Sequence, residues 1–258
     1  MGGYASRDPD AKGIYPYSDA ENAVWRDLFT RQVAALRPTA CRAYLDGLEK
    51  LAITAEAVPQ VSDVDARLSQ LTGAGVKGVP AIIPFDEFAN LLANRKFPVA
   101  TFIRRREDFD YIEEPDIFHE VFGHAPMLTD PDFCVFMERF GRLALSMDEA
   151  QNKKLVRLFW FTVEFGLIRE DGALKAFGAG ICSSPSEVGH ALSGQAEVVP
   201  FDLETVLRTP YRIDIVQPVY FAIDSFAQLA ASIDCDMVAA LDAAATKGDL
   251  PARFDQAA

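Results

Sequence analysis

The chain has 258 residues, half of them apolar, which is enough to bury one large hydrophobic core. Its 38 acidic and 25 basic side chains give a formal net charge of −13, which would repel the phosphates of nucleic acids and anionic lipid headgroups. The longest apolar stretch, 155–168, contains Arg157 and Glu164 and is too short to span a bilayer. We therefore expect neither nucleic acid nor a membrane as partner. Because no secretory signal is recognisable, the expected compartment is the cytoplasm.

The N-terminal part begins with a segment that lacks apolar periodicity. Residues 1–17 carry glycine, aspartate, proline and serine, and we expect a flexible leader there, followed by a single catalytic domain over 18–258. Ser18 and Glu21 have the spacing of a capping box, and apolar residues then recur at helical intervals. Two further helices are predicted before the first strand, over 38–51 and 62–71.

The remainder of the chain combines short apolar runs with longer periodic segments. Val76–Ile83 and Pro98–Arg104 are short, apolar and bounded by glycine or proline, which favours strands. The fold class expected is therefore mainly α with a few short β-strands. The other predicted helices cover 85–95, 115–122, 131–146, 149–169, 186–194, 202–207 and 217–243.

The segment His119-Glu-Val-Phe-Gly-His124 contains two of the three histidines in the chain. On an ideal α-helix, residues five apart are rotated by roughly 140° from each other, so the two imidazoles could not share one ligand face. The helix must therefore distort or end between them, and Gly123 with Pro126 supplies the break.

Two imidazoles and one carboxylate form the ligand set of non-haem iron(II) oxygenases. Glu164 is the favoured carboxylate because it is a lone acid in an apolar helix, where an unpaired charge is costly. An ion pair of Glu164 with Arg157, Arg169 or another basic residue of the core is the alternative, and the two histidines would then be ordinary hydrogen-bonded or surface residues. The four cysteines form no C-x-x-C pair, so a thiolate zinc site is not expected.

Two other classes of protein stay open on the residues alone. A zinc hydrolase would use Glu120 as base, but zinc peptidases space their histidines as H-E-x-x-H, one residue closer than here. A non-catalytic binding protein with a degenerate site is the other. Glu120 could cap the helix, Trp160 and Phe159 could be core residues, and Arg104 could be a solvated cation.

A series of motifs resembles the catalytic domain of the pterin-dependent aromatic amino acid hydroxylases, and above all the short bacterial members of that family. The motifs occur in family order over about 200 residues. They are Glu21-x-x-Val24-Trp25-x-x-Leu28-Phe29, Val58-Pro-Gln60, Phe97-Pro-Val99, Phe102-Ile-Arg104, Glu114-Pro-Asp-Ile-Phe-His-Glu-Val-Phe-Gly-His124, Trp160-Phe-Thr-Val-Glu164-Phe-Gly166, Phe177-Gly-Ala-Gly180-x-x-Ser183-Ser184 and Gln217-Pro218.

The resemblance implies a role for each matching residue. His119, His124 and Glu164 would bind iron, Asp116 would orient a ligating imidazole, and Arg104 would bind the substrate carboxylate. Glu120, Arg104 and Trp160 are the implied catalytic residues. The implied substrate pocket consists of Arg104, Ile112, Pro115, Trp160, Gly180 and Ser183, and the implied pterin pocket of Ile83, Phe88, Glu120 and Phe159.

The implied activity is hydroxylation of an aromatic amino acid by iron(II), a tetrahydropterin such as tetrahydrobiopterin, and O2 as co-substrate. Phenylalanine to tyrosine is the first expectation, and tryptophan or another ring position is the second. Phe159 stands where the animal enzymes have tyrosine, and Ile112 where they have threonine, so the substrate is less secure than the reaction. A heptad tail for tetramer assembly is absent from the sequence, so a monomer is expected.

Overall fold

Helices form most of the fold in the computed structural model, which describes residues 4–80 and 82–254. Within that range no helix is both long enough and apolar enough to cross a bilayer. Two segments are π-helical, π1 (Phe118–His124) and π2 (Trp160–Glu164). The α-helices are α1 (Asp19–Leu36), α2 (Arg42–Lys50), α3 (Val61–Leu71), α4 (Phe85–Ala93), α5 (Pro131–Ser146), α6 (Glu149–Phe159), α7 (Ala179–Ser183), α8 (Pro185–Ala191), α9 (Leu203–Arg208), α10 (Phe226–Ser232) and α11 (Met237–Lys247).

Two small sheets lie among the helices. β1 (Gly75–Val79) and β2 (Lys96–Ala100) pair in parallel, with Gly75 opposite Lys96. The second sheet has the order β4-β3-β6-β5 and consists of β3 (Gly166–Glu170), β4 (Ala173–Ala176), β5 (Glu197–Pro200) and β6 (Val219–Ile223). Within it β3 is antiparallel to β4, while β6 is parallel to both β3 and β5.

The hydrophobic core holds π1 firmly in place. The rings of Phe118 and Phe122 stack at 4.6 Å between centroids, and both are fully buried. Trp25 of α1 meets Phe118 edge to face at 5.4 Å. The phenol of Tyr44 on α2 donates a hydrogen bond to the carbonyl of Phe122 at 2.7 Å. The apolar side of π1 therefore packs into the core, and its polar side is left to form a site.

Several sequence-based predictions are confirmed. The fold is mainly α with short strands, as the composition of the segments indicates. Ser18 and Glu21 form the expected capping box, with side chain to backbone bonds in both directions. The helix over 131–146 has the predicted bounds.

The predicted helix over 217–243 is wrong. Its first part is strand β6, whose five residues are all buried because the strand lies in the interior of the sheet. A continuous apolar run shows neither the helical nor the strand period, so periodicity could not distinguish the two. The rest divides into α10 and α11, which begin at the N-caps Ser225 and Asp236.

The predicted helix over 149–169 is too long, because α6 ends at Phe159, continues as π2 and gives way to strand β3 at Gly166. A Cβ at Gly166 would collide with the ring of Phe177 and the carbonyl of Thr162, so the chain turns there without a side chain. The two predicted strands end earlier than expected, at Val79 and Ala100. The strands β3, β4 and β5 lie in stretches for which the sequence predicted no strand.

The leader contains no helix or strand over residues 4–17, yet its side chains contact the domain. Tyr4 stacks on Phe102 at 4.8 Å, and the hydroxyl of Ser6 donates to the carbonyl of Val79 at 2.9 Å. The phenol of Tyr17 donates to the carbonyl of Thr101 at 2.9 Å. The flexibility predicted for the leader remains a prediction, and removing these contacts would test it.

Candidate active site

The three predicted metal ligands meet although π1 and π2 are distant in sequence. In a π-helix each residue pairs with the fifth residue along the chain, so the positions of His119 and His124 come onto one side. The predicted distortion between these histidines is therefore present, as a π-helical segment rather than a helix end. Glu164 is the last residue of π2, where the amide of Phe165 bonds to the carbonyl of Trp160 at 2.9 Å.

The distances between the ligand atoms suit one metal ion. The Nε2 atoms of His119 and His124 are 3.1 Å apart. Glu164 Oε1 lies 3.2 Å from His124 Nε2, and Glu164 Oε2 lies 3.6 Å from His119 Nε2. Metal bonds of about 2.0–2.2 Å at right-angled to tetrahedral geometry place neighbouring ligand atoms roughly 2.8–3.6 Å apart. The donor set fits a mononuclear metal.

Glu120 is a second carboxylate close to the histidines. His119, Glu120 and His124 each offer one ligand atom within 4.8 Å of the other two. Glu120 Oε2, however, is 4.0 Å from His124 Nε2, farther than either Glu164 oxygen is from its nearer histidine. Glu164 therefore lies closer to both imidazoles than Glu120 does to His124, which favours Glu164 as the predicted carboxylate ligand. The alternative ion pair with Arg157 is absent from the described part of the chain, since that guanidinium binds Asp249.

The tautomer of His119 follows from its neighbour Ser183. The hydroxyl of Ser183 lies 2.9 Å from His119 Nδ1 and donates its hydrogen to the carbonyl of Ala179 at 2.8 Å. It can therefore only accept from His119, which places the proton on Nδ1 and leaves the lone pair of Nε2 for a metal. Ser183, predicted to line the substrate pocket, thus contacts a metal ligand.

Arg104 and Asp116 form a buried, bidentate ion pair beside π1. Arg104 Nε and Nη2 each donate to the Asp116 carboxylate at 2.9 Å, and the backbone amide of Arg104 adds a third bond at 2.9 Å. Asp116 also accepts from the backbone amide of His119 at 3.1 Å. The expected contact of Asp116 with an imidazole is therefore replaced by a contact with the backbone of that histidine.

The charges of the site respond strongly to burial. Burial lowers the pKa of His119 to about 4, although the Glu164 carboxylate opposes this shift. Burial alone would raise the pKa of Glu164, but the imidazoles of His124 and His119 outweigh it and hold that pKa below its ordinary value. Burial and the charges of Glu164 and Asp116 raise the pKa of Glu120 well above its usual range. The shifts of His119 and Glu164 thus favour a neutral imidazole and an ionised carboxylate at the predicted ligands, and the raised pKa of Glu120 favours its protonated form.

A cavity of about 290 Å³ opens over the three predicted metal ligands. All four residues predicted for the pterin pocket line it, together with Pro115 from the predicted substrate pocket. Phe88 and Phe159 form an aromatic corner, with ring centroids 5.5 Å apart and planes nearly perpendicular. Glu120 Oε2 is buried beside this cavity without a hydrogen-bond partner among the described residues. An unpaired buried oxygen next to a cavity favours a polar ligand at that position.

The other predicted substrate residues lie outside the lining of this cavity. Trp160 is half-buried between Phe165 and Tyr211, with both ring centroids at 4.6 Å. Gly180 is buried where a Cβ would lie 2.6 Å from the ring of Phe165. Ile112 is half-buried in the loop before π1.

Sequence reasoning gave no role to Gln217 and Phe97. Gln217 Oε1 accepts a hydrogen bond from the indole of Trp160 at 2.9 Å. Phe97 lies against the imidazole of His124, with ring centroids 4.4 Å apart. Both residues stand in the motifs quoted above, and that was the one sequence signal that could have pointed to them. Their contacts could not be predicted, because Trp160 and His124 are distant from them in sequence.

Two imidazoles and a carboxylate at the floor of an aromatic cavity define a mononuclear metal enzyme on a mainly helical domain. Residues 10–239 match the family model of the biopterin-dependent aromatic amino acid hydroxylases. The chain therefore belongs to that family.

Individual relatives agree with this placement. A phenylalanine-4-hydroxylase of Vibrio cholerae is 46% identical over 252 residues, which cover 97% of this chain and 87% of that protein. The apo structure of the cold-active phenylalanine hydroxylase of Colwellia psychrerythraea superposes with a TM-score of 0.94 at 42% identity, covering 96% of this chain and 97% of that one. The phenylalanine hydroxylase of Chromobacterium violaceum with bound oxidised Fe(III) gives 0.89 at 37% identity, covering 97% and 94%.

Proposed function

We propose that this protein is an iron(II)- and tetrahydropterin-dependent monooxygenase that hydroxylates the ring of L-phenylalanine to L-tyrosine with O2. The observation that carries the proposal is the convergence of His119, His124 and Glu164, with ligand atoms 3.1–3.6 Å apart, on an aromatic cavity. Phenylalanine is favoured over other aromatic amino acids by the bacterial relatives named above.

Iron(II) would be held by His119 Nε2, His124 Nε2 and Glu164. This ligand set fits iron because two neutral imidazoles and one carboxylate leave adjacent positions open. The bond between His119 Nδ1 and Ser183 supports it, since it orients the ring and raises the basicity of the ligating nitrogen.

The amino acid would be bound at its carboxylate by Arg104. Because Nε and one hydrogen of Nη2 are used on Asp116, the guanidinium is already fixed in orientation, and the other Nη2 hydrogen and Nη1, which bond to none of the described residues, would be available to a substrate. Pro115 and Trp160 would flank the aromatic ring, with Gly180 and Ile112 completing the pocket.

The reduced pterin would lie against Phe88 in the aromatic part of the cavity. Ile83 and Phe159 would cover the remaining apolar faces of its ring system. The protonated carboxyl of Glu120 could then donate to the pterin or accept from it, and this would satisfy the buried Oε2.

Iron and pterin supply the activation of dioxygen when bound, and the pterin provides the two electrons that the reaction needs. In the net reaction one oxygen atom of O2 would enter the aromatic ring. The protein contributes position: it fixes the metal, holds the substrate ring near it, and excludes water with aromatic side chains.

The test is pterin-dependent oxygen uptake by the iron-loaded protein with phenylalanine, tyrosine and tryptophan, with the products separated by chromatography. We expect tyrosine from phenylalanine in proportion to pterin consumed. If only tryptophan gave a product, the proposed reaction would stand and the proposed substrate would be wrong. If none of the three amino acids supported oxygen uptake, the proposal would be contradicted.

The ligand assignment has its own test. Glu164→Gln, His119→Ala and His124→Ala should each abolish iron binding, measured as bound iron after anaerobic loading, while Glu120→Ala should keep the metal and lose turnover. Glu149→Ala, at an exposed glutamate on α6, is the matched control. A Glu164→Gln protein that bound iron and turned over normally would show that the ligand set is wrong.

We also propose that the protein works as a monomer in the cytoplasm. Light scattering of the purified protein tests the first point, and fractionation of the producing cells tests the second.

A further inference from the structure

The side-chain amide of Gln217 is fully used although the residue is 1% exposed. Its Oε1 accepts from the indole nitrogen of Trp160 at 2.9 Å. Its Nε2 donates to the carbonyls of Arg212 at 3.0 Å and Ile215 at 2.9 Å. Only an amide nitrogen can donate to two carbonyls, and only the oxygen can accept from an indole, so these bonds fix the orientation of the amide.

The backbone of Gln217 is fixed as well. Its amide donates to Glu187 Oε1 at 3.1 Å, and the other oxygen of that carboxyl accepts from the phenol of Tyr220. Glu187 belongs to α8 and Tyr220 to β6, so the backbone of Gln217 is bonded to α8 at a carboxyl that is itself fixed by β6. Because Gln217 is fixed at both its backbone and its side chain, it can hold the side chain that bonds to its Oε1 in one position.

Trp160 is that partner, and ring contacts alone do not determine its orientation. Its indole stacks on Tyr211 with planes 26° apart and lies tilted against Phe165. Stacked rings can slide and rotate in their planes with little change in contact energy, whereas an N–H···O bond has one direction. Trp160 is also the first residue of π2, which ends at Glu164.

We infer that Gln217 is a positioning residue, which fixes the indole of Trp160 and thereby the wall of the pocket for the aromatic ring, without touching the substrate itself. The inference rests on the proposed function, because that function makes Trp160 a wall of the amino-acid pocket. The inference predicts that loss of the Gln217 side chain weakens binding of the amino acid but not binding of the pterin.

Gln217→Met keeps the length of the side chain and removes its hydrogen bonds. The KM for the amino acid should rise about 3- to 10-fold, as expected for the loss of one hydrogen bond. The KM for the pterin should stay within about twofold, and less product should form per pterin oxidised. Gln228→Met, at a glutamine of α10 that accepts from the amide of Asp224, is the matched control and should change neither constant.

A double-mutant cycle tests whether Gln217 acts through Trp160. In a Trp160→Phe background, Gln217→Met should raise the KM for the amino acid by less than about twofold, because the bond is already lost. An undiminished effect in that background would overturn the inference, as would equal rises in both Michaelis constants.

Fluorescence gives a reading that does not depend on activity. The chain has two tryptophans, and Trp25 is fully buried with its indole bonded to the carbonyl of Thr54. The emission of Trp160 is therefore obtained by subtracting the spectrum of Trp160→Phe. Gln217→Met should increase acrylamide quenching of this emission, and unchanged quenching would overturn the inference.

Two further outcomes are decided in advance. If Gln217→Met does not fold, Gln217→Asn carries the test: its amide is one methylene shorter and does not reach the indole, so it should increase the quenching of Trp160 and raise the amino-acid KM more than the pterin KM. If none of the aromatic amino acids supports pterin oxidation by the parent protein, the proposed function fails. The quenching comparison alone then decides whether Gln217 positions Trp160.

Discussion

Arg104 is a buried cation whose charge is balanced by Asp116. Removing a partner from such a pair is costly, because a charge is then left in the interior without compensation. The guanidinium also offers two parallel donors that match the two carboxylate oxygens, which a lysine ammonium cannot do.

Arg104→Lys keeps the charge and loses this fork. We expect the KM for the amino acid to rise by at least about tenfold, because the shorter lysine ammonium cannot bind Asp116 and the substrate carboxylate at the same time. The melting temperature should also fall, because one charged hydrogen bond of about 1.5–3 kcal/mol is lost. Steady-state kinetics and thermal unfolding measure the two effects. Arg105→Lys, at the exposed neighbouring arginine, is the control. Equal changes in the Michaelis constants of amino acid and pterin would reject the role of Arg104 in substrate binding.

The residues of the site differ in how far the sequence could predict them. The spacing of His119 and His124 and the isolation of Glu164 in an apolar helix are local signals. The bond from His119 to Ser183 joins residues 64 apart, and the bond from Trp160 to Gln217 joins residues 57 apart. Such partners are set by the packing of separate elements, so no local pattern contains them.

At the scale of elements, π1 and π2 are the parts of the fold that create the site. A π-helical segment is less stable than an α-helix and persists where the surroundings hold it. For π1 one such support is Tyr44 of α2, which is fully buried and donates to the carbonyl of Phe122.

Tyr44→Phe removes this donor and leaves the rest of the ring in place. The buried carbonyl loses a hydrogen bond, and we expect about 1–3 kcal/mol less stability and weaker iron binding, because Phe122 lies between the two histidines. Denaturant unfolding and metal titration measure these effects. Tyr15→Phe is the control, since the bonds of Tyr15 to Gln60 run through its backbone. Unchanged iron affinity in Tyr44→Phe would mean that π1 does not depend on this support.

Glu187 joins α8 to the sheet and makes stability depend on pH. Burial raises its pKa, and bonds from Tyr220 and Gln217 and the charge of His190 only partly oppose this. Because the folded protein holds the proton more tightly than the unfolded chain, the contribution of this group to stability is full at low pH and is lost as the pH rises through the raised pKa.

Glu187→Gln has no proton to lose and can still accept from Gln217 and donate to Tyr220. We therefore expect the melting temperature of the variant, relative to the parent, to be higher at pH 8 than at pH 4.5. The control is Glu197→Gln on the exposed side of β5, where no such trend is expected. If the difference in melting temperature between Glu187→Gln and the parent were the same from pH 4.5 to pH 8, folding would not raise the pKa of Glu187.

The elements themselves show where local sequence signals end. The capping box at Ser18 marked the start of α1, and the predicted range of α5 matched both of its ends, because such signals are local. Strand β6 is buried along its whole length and carries no alternation, so only its pairing with β3 and β5 defines it. The resemblance to a family identified the type of domain without settling these boundaries.

At the scale of the whole molecule, the leader connects to the cavity through the end of the first sheet. Ser6 bonds to Val79, which lines the cavity, and Arg7 exchanges two backbone bonds with the hydroxyl of Thr101, at 2.8 and 2.9 Å. Thr101 directly follows β2 and is 1% exposed. The leader thus supports the side of the cavity that is proposed to bind the pterin.

A chain that begins at Ser18 tests this support against the flexible leader that the sequence predicts. If the bonds to Val79 and Thr101 hold the leader, its loss should lower the melting temperature by at least about 4 °C, since roughly 1 kcal/mol corresponds to 2–4 °C in a domain of this size. The KM for the pterin should rise more than that for the amino acid, because the affected strand end borders the pterin side. Thr101→Val in the full chain removes only the hydroxyl and should reproduce part of both effects. An unchanged melting temperature and unchanged kinetics after the truncation would show that the leader moves freely in solution.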